Sequence, residues 1–260
     1  MHKDANGRAR RRWIQAAGAA AVTAGFSALP ARAQAARRYA VVSLVGDRLV
    51  VVYAGLVTGT SLDANRQRVV LDAKGAMDQF ALAAVGKALE TADGASATLL
   101  GVAPSPLHER ADSLIDGKSV SLPGSLVDAL EQSRATHLVM VTKQRADASI
   151  PMLRTHLGVG KLRGLGYYID MNANIRMVES GATGRGLLAP YVYLKLTLAD
   201  ARTGAVLNQR NCTAAQAYPV AGSQTALDPW EVLTSEEKIA RLRSLLESEL
   251  AREIPLLIAT

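Results

Sequence analysis

The clearest pattern in the sequence is a strict alternation of side chains after Pro190. Apolar residues stand at Val192, Leu194, Leu196 and Leu198, and the positions between them hold Tyr193, Lys195 and Thr197. A period of two places each set on one face of a β-strand. The segment 200–204, Asp-Ala-Arg-Thr-Gly, consists largely of turn-forming residues. We therefore predict that residues 205–213 return as the partner strand of a long β-hairpin.

A helical period replaces this alternation near the C-terminus. Thr234 and Glu237 have the spacing of a capping box, which marks the start of a helix. The apolar residues that follow share one helix face: Ile239, Leu242, Leu245, Leu246 and Leu250. The pattern predicts an amphipathic C-terminal helix, and similar spacing predicts helices over 73–92 and 123–133.

Shorter apolar runs predict four further strands, at 39–45, 49–53, 97–102 and 137–142. The first two flank Gly46-Asp47, and we interpret them as a hairpin. Residues 144–190 are rich in glycine and less regular, so we interpret them as an inserted loop or hairpin. Because no linker or repeat divides the pattern, we predict one α/β (α+β) domain over 34–260, a mixed β-sheet with helices packed on it.

Residues 1–33 have the pattern of a cleavable export signal. Arg10, Arg11 and Arg12 precede Trp13 and Ile14, and a short uncharged run leads to Ala31-Arg32-Ala33. Two arginines followed by a bulky apolar pair are typical of a twin-arginine signal, and Ala31 and Ala33 form an Ala-x-Ala cleavage site. The alternatives are an ordinary secretory signal with an arginine-rich start and an uncleaved anchor. Either signal predicts a periplasmic location in a bacterium.

The charge of the chain is concentrated in this signal. The whole sequence carries +7 at an isoelectric point near 9.7, and residues 1–33 supply +5 of it through six basic residues and one acidic residue. The mature chain is left with +2. Such a charge lacks the electrostatic footprint of a nucleic-acid-binding protein, so we expect no nucleic-acid partner.

Cys212 is the single cysteine of the chain, so an internal disulfide cannot form. It lies in an apolar strand pattern, where it is either a small buried residue or a thiol that pairs between chains. No cysteine follows the cleavage site to accept a lipid. We therefore expect a soluble mature protein without a stable membrane anchor, and its oligomeric state stays open.

The motifs that would indicate catalysis are incomplete. His108-Glu109 begins like the zinc-protease helix, but Asp112 stands where the second histidine is required. Ser235 and Lys238 have the spacing of penicillin-recognising enzymes without their other two motifs. Gly117-Lys118-Ser119 and the glycines of 158–164 have the wrong spacing for phosphate or dinucleotide loops. We expect no metal and no cofactor, and whether the protein is an enzyme stays open, with a non-catalytic role favoured.

Tyrosine and arginine in the 144–190 segment and just after it suggest a binding surface. Tyr167, Tyr168, Arg185 and Tyr191 are residue types that are enriched in partner-binding patches. The alternative is that these tyrosines simply cover the sheet.

The segments 136–142, Thr-His-Leu-Val-Met-Val-Thr, and 192–206, which ends in Asp-x-x-Thr-Gly-x-Val, resemble one group of envelope proteins. The group shares the α/β fold of the TolB N-terminal domain and includes the curli-secretion lipoprotein and the lipoprotein activators of penicillin-binding proteins. The resemblance covers about a third of the mature chain. It implies a non-enzymatic role in which the protein binds an envelope partner.

Together, the signal, the resemblance and the incomplete motifs predict an exported periplasmic protein that acts as a binding or assembly factor for an envelope component. The alternative is an exported enzyme or small-ligand-binding protein with its site near the 144–190 insertion.

Overall fold

Two long antiparallel strands, Lys161–Arg176 and Thr183–Asp200, form the centre of the β-sheet. The computed structural model describes residues 37–46, 48–55, 65–71, 75–152, 154–176, 183–219 and 228–259. The predicted signal residues Arg10, Arg11, Trp13, Ile14, Ala31 and Ala33 lie outside this part of the chain. Export therefore stays a prediction.

The described strands and helices are numbered in chain order. The strands are β1 (Tyr39–Ser43), β2 (Arg48–Tyr53), β3 (Arg66–Leu71), β4 (Ala97–Leu100), β5 (His137–Lys143), β6 (Arg145–Asp147), β7 (Ile150–Pro151), β8 (His156–Leu157), β9 (Lys161–Arg176), β10 (Thr183–Asp200), β11 (Val206–Ala215) and β12 (Tyr218–Pro219). The helices are α1 (Ala76–Asp93), α2 (Gly124–Ser133) and α3 (Ser235–Ile258). Short 3₁₀ turns cover Pro106–His108, Ala111–Leu114 and Pro229–Val232.

The sheet is mixed and runs in the order β3-β2-β9-β10-β5-β1-β4. Strand β1 pairs in parallel with β4 and β5, and β2 pairs in parallel with β9. The other pairs of this order are antiparallel, and β11 and β12 also pair with β10. The predicted α/β class, a single domain with a mixed sheet and packed helices, is confirmed.

Helices cover the sheet on both faces. Helices α1 and α3 bury Met77, Val85, Leu242 and Leu250 in the same core cluster as Tyr39 and Val41 of β1 and Leu196 of β10. On the opposite face, Leu126 and Leu130 of α2 pack against Ala40 and Val42 of β1. A strand that is buried on both faces cannot alternate between apolar and polar residues, which explains the continuous apolar run of β1.

The hairpin and the C-terminal helix form as the sequence predicts. β10 and β11 pair from Tyr191 to Ala199, and the carboxylate of Asp200 accepts hydrogen bonds from the turn. Gly204 has a φ of +71°, the left-handed conformation that glycine adopts without strain. Thr234 and Glu237 form both hydrogen bonds of the capping box of α3.

Two sequence interpretations are wrong. β1 and β2 do not form a hairpin, because β9, β10 and β5 lie between them in the sheet. Residues 144–190 are not an insertion, since they supply the whole of β9 and the first part of β10 in the centre of the sheet. The hairpin that we predicted as one form of this segment is present, because β9 and β10 are consecutive and pair in antiparallel fashion. Local patterns predict that a strand exists but not which strand it pairs with, and a strand buried on both faces shows no alternation.

The chemistry of Cys212 follows from its place in β11. Its side chain is fully buried in the cluster with α1 and α3, and burial raises the pKa of the thiol to about 12. This placement supports the interpretation as a small core residue. Among the described residues, no helix is both long and apolar enough to cross a bilayer.

Candidate functional site

A basic pocket lies on the face of the sheet opposite α1 and α3. In β2, Leu49 and Val51 point into the core beneath these helices, so Arg48, Val50 and Val52 point the other way. Beside them, the neighbouring strand β3 presents Gln67 and Val69. No helix packs over this part of β2 and β3 in the described structure, and the side chains therefore border an open concave surface.

Cationic side chains from four strands, β2, β5, β6 and β9, converge on this surface. The cavity has a volume of about 230 Å³, and its charged lining residues are Arg48, Lys143, Arg145, Lys161, Arg163 and Glu109. Five of these six side chains are cationic. We call this cavity, with its floor of Val50, Val52 and Tyr191, the basic pocket.

Two of the cations face each other across a strand pair. β6 and β9 are antiparallel, with Arg145 directly opposite Arg163 and Asp147 opposite Lys161. Like charges in directly opposed positions destabilise a sheet. Asp112, which lies 2.8 Å from Arg163, offsets part of this repulsion, and an anion bound in the cavity would offset more of it.

The carboxylates near the pocket hold its cations with unequal strength. Asp112 lies 2.8 Å from Nη2 of Arg163, and Asp147 lies 2.7 Å from Nζ of Lys161. By contrast, one oxygen of Glu109 serves two cations at longer range, 3.5 Å to Nζ of Lys143 and 3.8 Å to Nη1 of Arg48. Charge-assisted hydrogen bonds are usually about 2.7–2.9 Å long, so Glu109 binds the buried ammonium group of Lys143 only weakly. The side chain of Arg48 is 53% exposed and also faces water.

A glycine lets the Lys143 side chain reach the pocket. Gly164 of β9 has a φ of +70°, and a Cβ atom built there would lie 3.1 Å from Cγ of Lys143. The lysine stem therefore lies across the backbone of β9, and the side chain is only 9% exposed. Within the described part of the chain, the one hydrogen bond of its ammonium group is that to Glu109.

The floor of the pocket depends on a second glycine. Tyr191 of β10 lies opposite Gly166 of β9, and its ring crosses this glycine so that its hydroxyl donates to the Val50 carbonyl at 3.2 Å. A Cβ atom on Gly166 would lie 1.9 Å from the Val50 carbonyl oxygen and 2.7 Å from the tyrosine oxygen. Burial raises the pKa of Tyr191, which keeps the phenol neutral.

The loop that carries Glu109 is anchored beneath the pocket by a buried carboxylate. Asp78 accepts hydrogen bonds from the Ser43 hydroxyl and from the backbone N–H groups of Val45 and Gly46 at 2.9 Å. The oxygen that accepts from Gly46, Oδ2, also lies 3.0 Å from Nε2 of His108, which is 5% exposed. His108 therefore fixes the backbone immediately before Glu109.

This arrangement shows what the residues of the zinc-like motif do. His108 holds Asp78, Glu109 faces Lys143, and Asp112 pairs with Arg163. The part of the chain that the structure describes contains no group of three His, Cys, Asp or Glu side chains positioned to hold a metal ion. All three motif residues are engaged in hydrogen bonds or ion pairs around the pocket and its anchor.

The tyrosines of the predicted patch lie in the interior. Tyr167 packs edge-on against Trp230 beneath α3, and Tyr168 accepts a hydrogen bond from the Val159 N–H group. Tyr167, Tyr168 and Tyr191 are each at most 1% exposed, so they do not form an exposed binding patch. Arg185 lies in β10, in register with Asn174 of β9. The alternative, in which the tyrosines cover the sheet, is the one that their burial supports.

The cationic residues of the pocket belong to none of the motifs that the sequence contains. Two short signals contain four of them, Lys143-Gln-Arg145 and Lys161-Leu-Arg163. On a strand, residues two apart share a face, so each tripeptide places two charges on the same side. Their meeting depends on the pairing of β6 with β9, which no local pattern predicts.

Comparison with known proteins leaves the family of this chain open. No family model matches the chain, and no curated protein matches it in sequence. The fold is similar to that of a neuraminyllactose-binding hemagglutinin homolog from Helicobacter pylori, with 6% identity, 87% of each chain covered and a TM-score of 0.42. It is also similar to the PelC dodecamer from Paraburkholderia phytofirmans, with 12% identity, 86% of this chain and 89% of that chain covered, and a TM-score of 0.29.

A third similar structure is a DUF330 protein from Xanthomonas campestris, with 13% identity, 85% of this chain and 81% of that chain covered, and a TM-score of 0.27. Likeness at these levels carries no conclusion about this protein. The resemblance to the TolB-like envelope group stays a prediction.

Proposed function

We propose that the protein is an exported periplasmic binding or assembly factor that holds an acidic group of an envelope component in the basic pocket, without catalysis. The signal pattern of residues 1–33 supports export, and the two segments that resemble the TolB-like group support an envelope role. The pocket supplies the binding chemistry.

The observation that carries this proposal is the convergence of five cations around one cavity. Arg145 and Arg163 oppose each other across a strand pair, and Lys143 is buried with one distant carboxylate partner. Buried charges are normally paired closely, because desolvation of an ion is unfavourable without compensation. A bound anion would provide that compensation.

The size of the cavity indicates how much of the partner enters it. Its volume of about 230 Å³ is below the range of about 300–1,000 Å³ that encloses most small-molecule ligands. It suits an acidic head group or side chain, with the rest of the partner outside. Val69, which lines the pocket and is 55% exposed, lies where that remainder would make contact.

Photo-crosslinking in cells tests this proposal. A benzophenone amino acid at Val69 should give a defined adduct with an envelope component, and the double variant Arg145→Ser/Arg163→Ser should lose most of the adduct. The matched control places the same probe at Leu256 of α3, which is 50% exposed and outside the pocket. Equal adducts from both positions, or none from Val69, would contradict the proposal.

The alternative is an exported enzyme or small-ligand-binding protein with its site near residues 144–190. Arg145, Lys161 and Arg163 come from that segment and line the pocket, which supports a site there. The crosslinking experiment also tests this alternative. A free small molecule that is not part of an envelope structure and that prevents the Val69 adduct from forming would favour it over an assembly factor.

A further inference from the structure

The Glu109 carboxylate lies where an anionic ligand of the basic pocket would bind. It is the one acidic side chain among the described residues that line the cavity, and it is shared between Lys143 and Arg48. Its distances of 3.5 and 3.8 Å exceed those of a full charge-assisted hydrogen bond. The carboxylate therefore occupies the position between the two cations while binding each of them only weakly.

Glu109 can leave this position without unfolding the loop. Its side chain is 48% exposed, so rotation about its own bonds carries the carboxylate into water. The backbone stays in place, because the neighbouring His108 is buried and bound to Asp78. Displacement by a ligand is a change of rotamer in one side chain.

The charges that remain indicate the class of the ligand. Arg163 and Lys161 keep their close carboxylate partners at the rim, Asp112 and Asp147. Once Glu109 has left, Lys143 and Arg48 present two positive charges that the rim carboxylates do not pair. A dianionic group with several oxygens matches two cations better than a second monovalent carboxylate does.

We propose that the ligand of the basic pocket carries a phosphate or phosphomonoester dianion, which displaces the Glu109 carboxylate and contacts Lys143 and Arg48. This inference rests on the proposed binding function and adds the chemical class of the ligand. Glu109 acts as an internal competitor that lowers the affinity for every anion and leaves only strongly charged groups able to enter.

Calorimetric titration of the purified chain with inorganic phosphate at constant ionic strength tests the proposal. The variant Glu109→Gln removes the competing charge and should tighten phosphate binding about fivefold, the effect expected of one partly exposed ion pair. Lys143→Met keeps the packed stem over Gly164 and should weaken binding more than about tenfold. Lys143→Arg, which keeps the positive charge, should retain most of the phosphate affinity of the wild type.

Matched controls remove the same charges elsewhere. Glu131→Gln on α2 and Lys87→Met on α1 alter exposed residues outside the pocket and should leave phosphate binding unchanged. Acetate should bind more weakly than phosphate. Circular dichroism of each variant shows whether it is folded before it is titrated.

Several outcomes overturn the proposal. Equal phosphate affinity of the wild type and Glu109→Gln would show that the carboxylate does not compete, and tighter binding of acetate than of phosphate would exclude the dianion. If phosphate does not bind while the pocket-dependent Val69 adduct still forms, this inference fails and the proposed binding function stands.

A vesicle-binding experiment identifies the source of the phosphate group. Binding to phosphatidylcholine vesicles only when they contain phosphatidic acid would identify the source as a lipid head group rather than free phosphate.

Discussion

Among single residues, Asp78 connects the sheet to the loop of the pocket. It is 8% exposed, and its two oxygens accept from the Ser43 hydroxyl, the N–H groups of Val45 and Gly46, and the His108 ring. A carboxylate suits this place because it offers only acceptors to several donors. The same residue thus shapes the chain after β1 and holds the backbone beside Glu109.

Replacing Asp78 with asparagine should lower the free energy of unfolding by about 2–4 kcal/mol. The amide keeps one acceptor oxygen but turns an NH₂ group towards donors, which leaves buried N–H groups unsatisfied. Urea denaturation followed by circular dichroism measures the loss. Asp128→Asn on the exposed face of α2 is the control, and it should change stability by less than about 0.5 kcal/mol. Equal stability of the two variants would show that the Asp78 network is dispensable.

At the level of elements, local patterns predicted which segments form strands and helices better than they predicted which strands pair with each other. The β10–β11 hairpin and the start of α3 followed from alternation and from a capping box, both of which act over a few residues. The separation of β1 from β2 did not follow from any local pattern, because each of these strands pairs in parallel with a strand that is distant in sequence. Strand β9 was not predicted as a central strand of the sheet. Its glycines and tyrosines contact β2 and β10, so its sequence lacks the alternation of apolar and polar residues that marks a strand with one face in water.

Gly166 tests whether this packing between strands sets the stability of the sheet. Gly166→Ala should lower the free energy of unfolding by more than about 3 kcal/mol or prevent folding, because the added methyl group would overlap the Val50 carbonyl and the Tyr191 ring. Gly101→Ala is the control, since nothing lies within 4 Å of its added Cβ atom. We expect that variant to stay within about 1 kcal/mol of the wild type. Indistinguishable urea midpoints for the two variants would mean that the packing of the Tyr191 ring does not require a glycine at position 166.

For the whole molecule, the sheet topology is what assembles the basic pocket. Its cations come from β2, the end of β5, β6 and the start of β9, and they meet because β9 pairs with both β2 and β6. Residues 34–260 carry a formal charge of only +2, so the pocket reflects a local arrangement of charge and not an overall excess. Its recognition from composition alone was therefore impossible.

Export is the prediction that concerns the whole chain. If residues 1–33 are a twin-arginine signal, replacing Arg10, Arg11 and Arg12 with lysine should abolish transport, because that pathway requires the arginine pair. Immunoblots of periplasmic and cytoplasmic fractions measure the change. A variant with Lys3 and Arg8 replaced by glutamine, which leaves the arginine run intact, is the control. Undiminished export of the lysine variant would leave the ordinary secretory signal as the explanation.

The sequence by itself determined the α/β class, the β10–β11 hairpin, the capped helix α3 and the prediction of an export signal. Each of these depends on residues close together in the chain, where side-chain period, turn residues and capping groups act directly. Only the tertiary structure decided that Tyr167, Tyr168 and Tyr191 are core residues and that Lys143, Arg48 and Glu109 share one cavity. The reason is physical: strand pairing places distant parts of the chain side by side, as Val50 of β2 beside Gly166 of β9, and no local pattern records which strands will be neighbours.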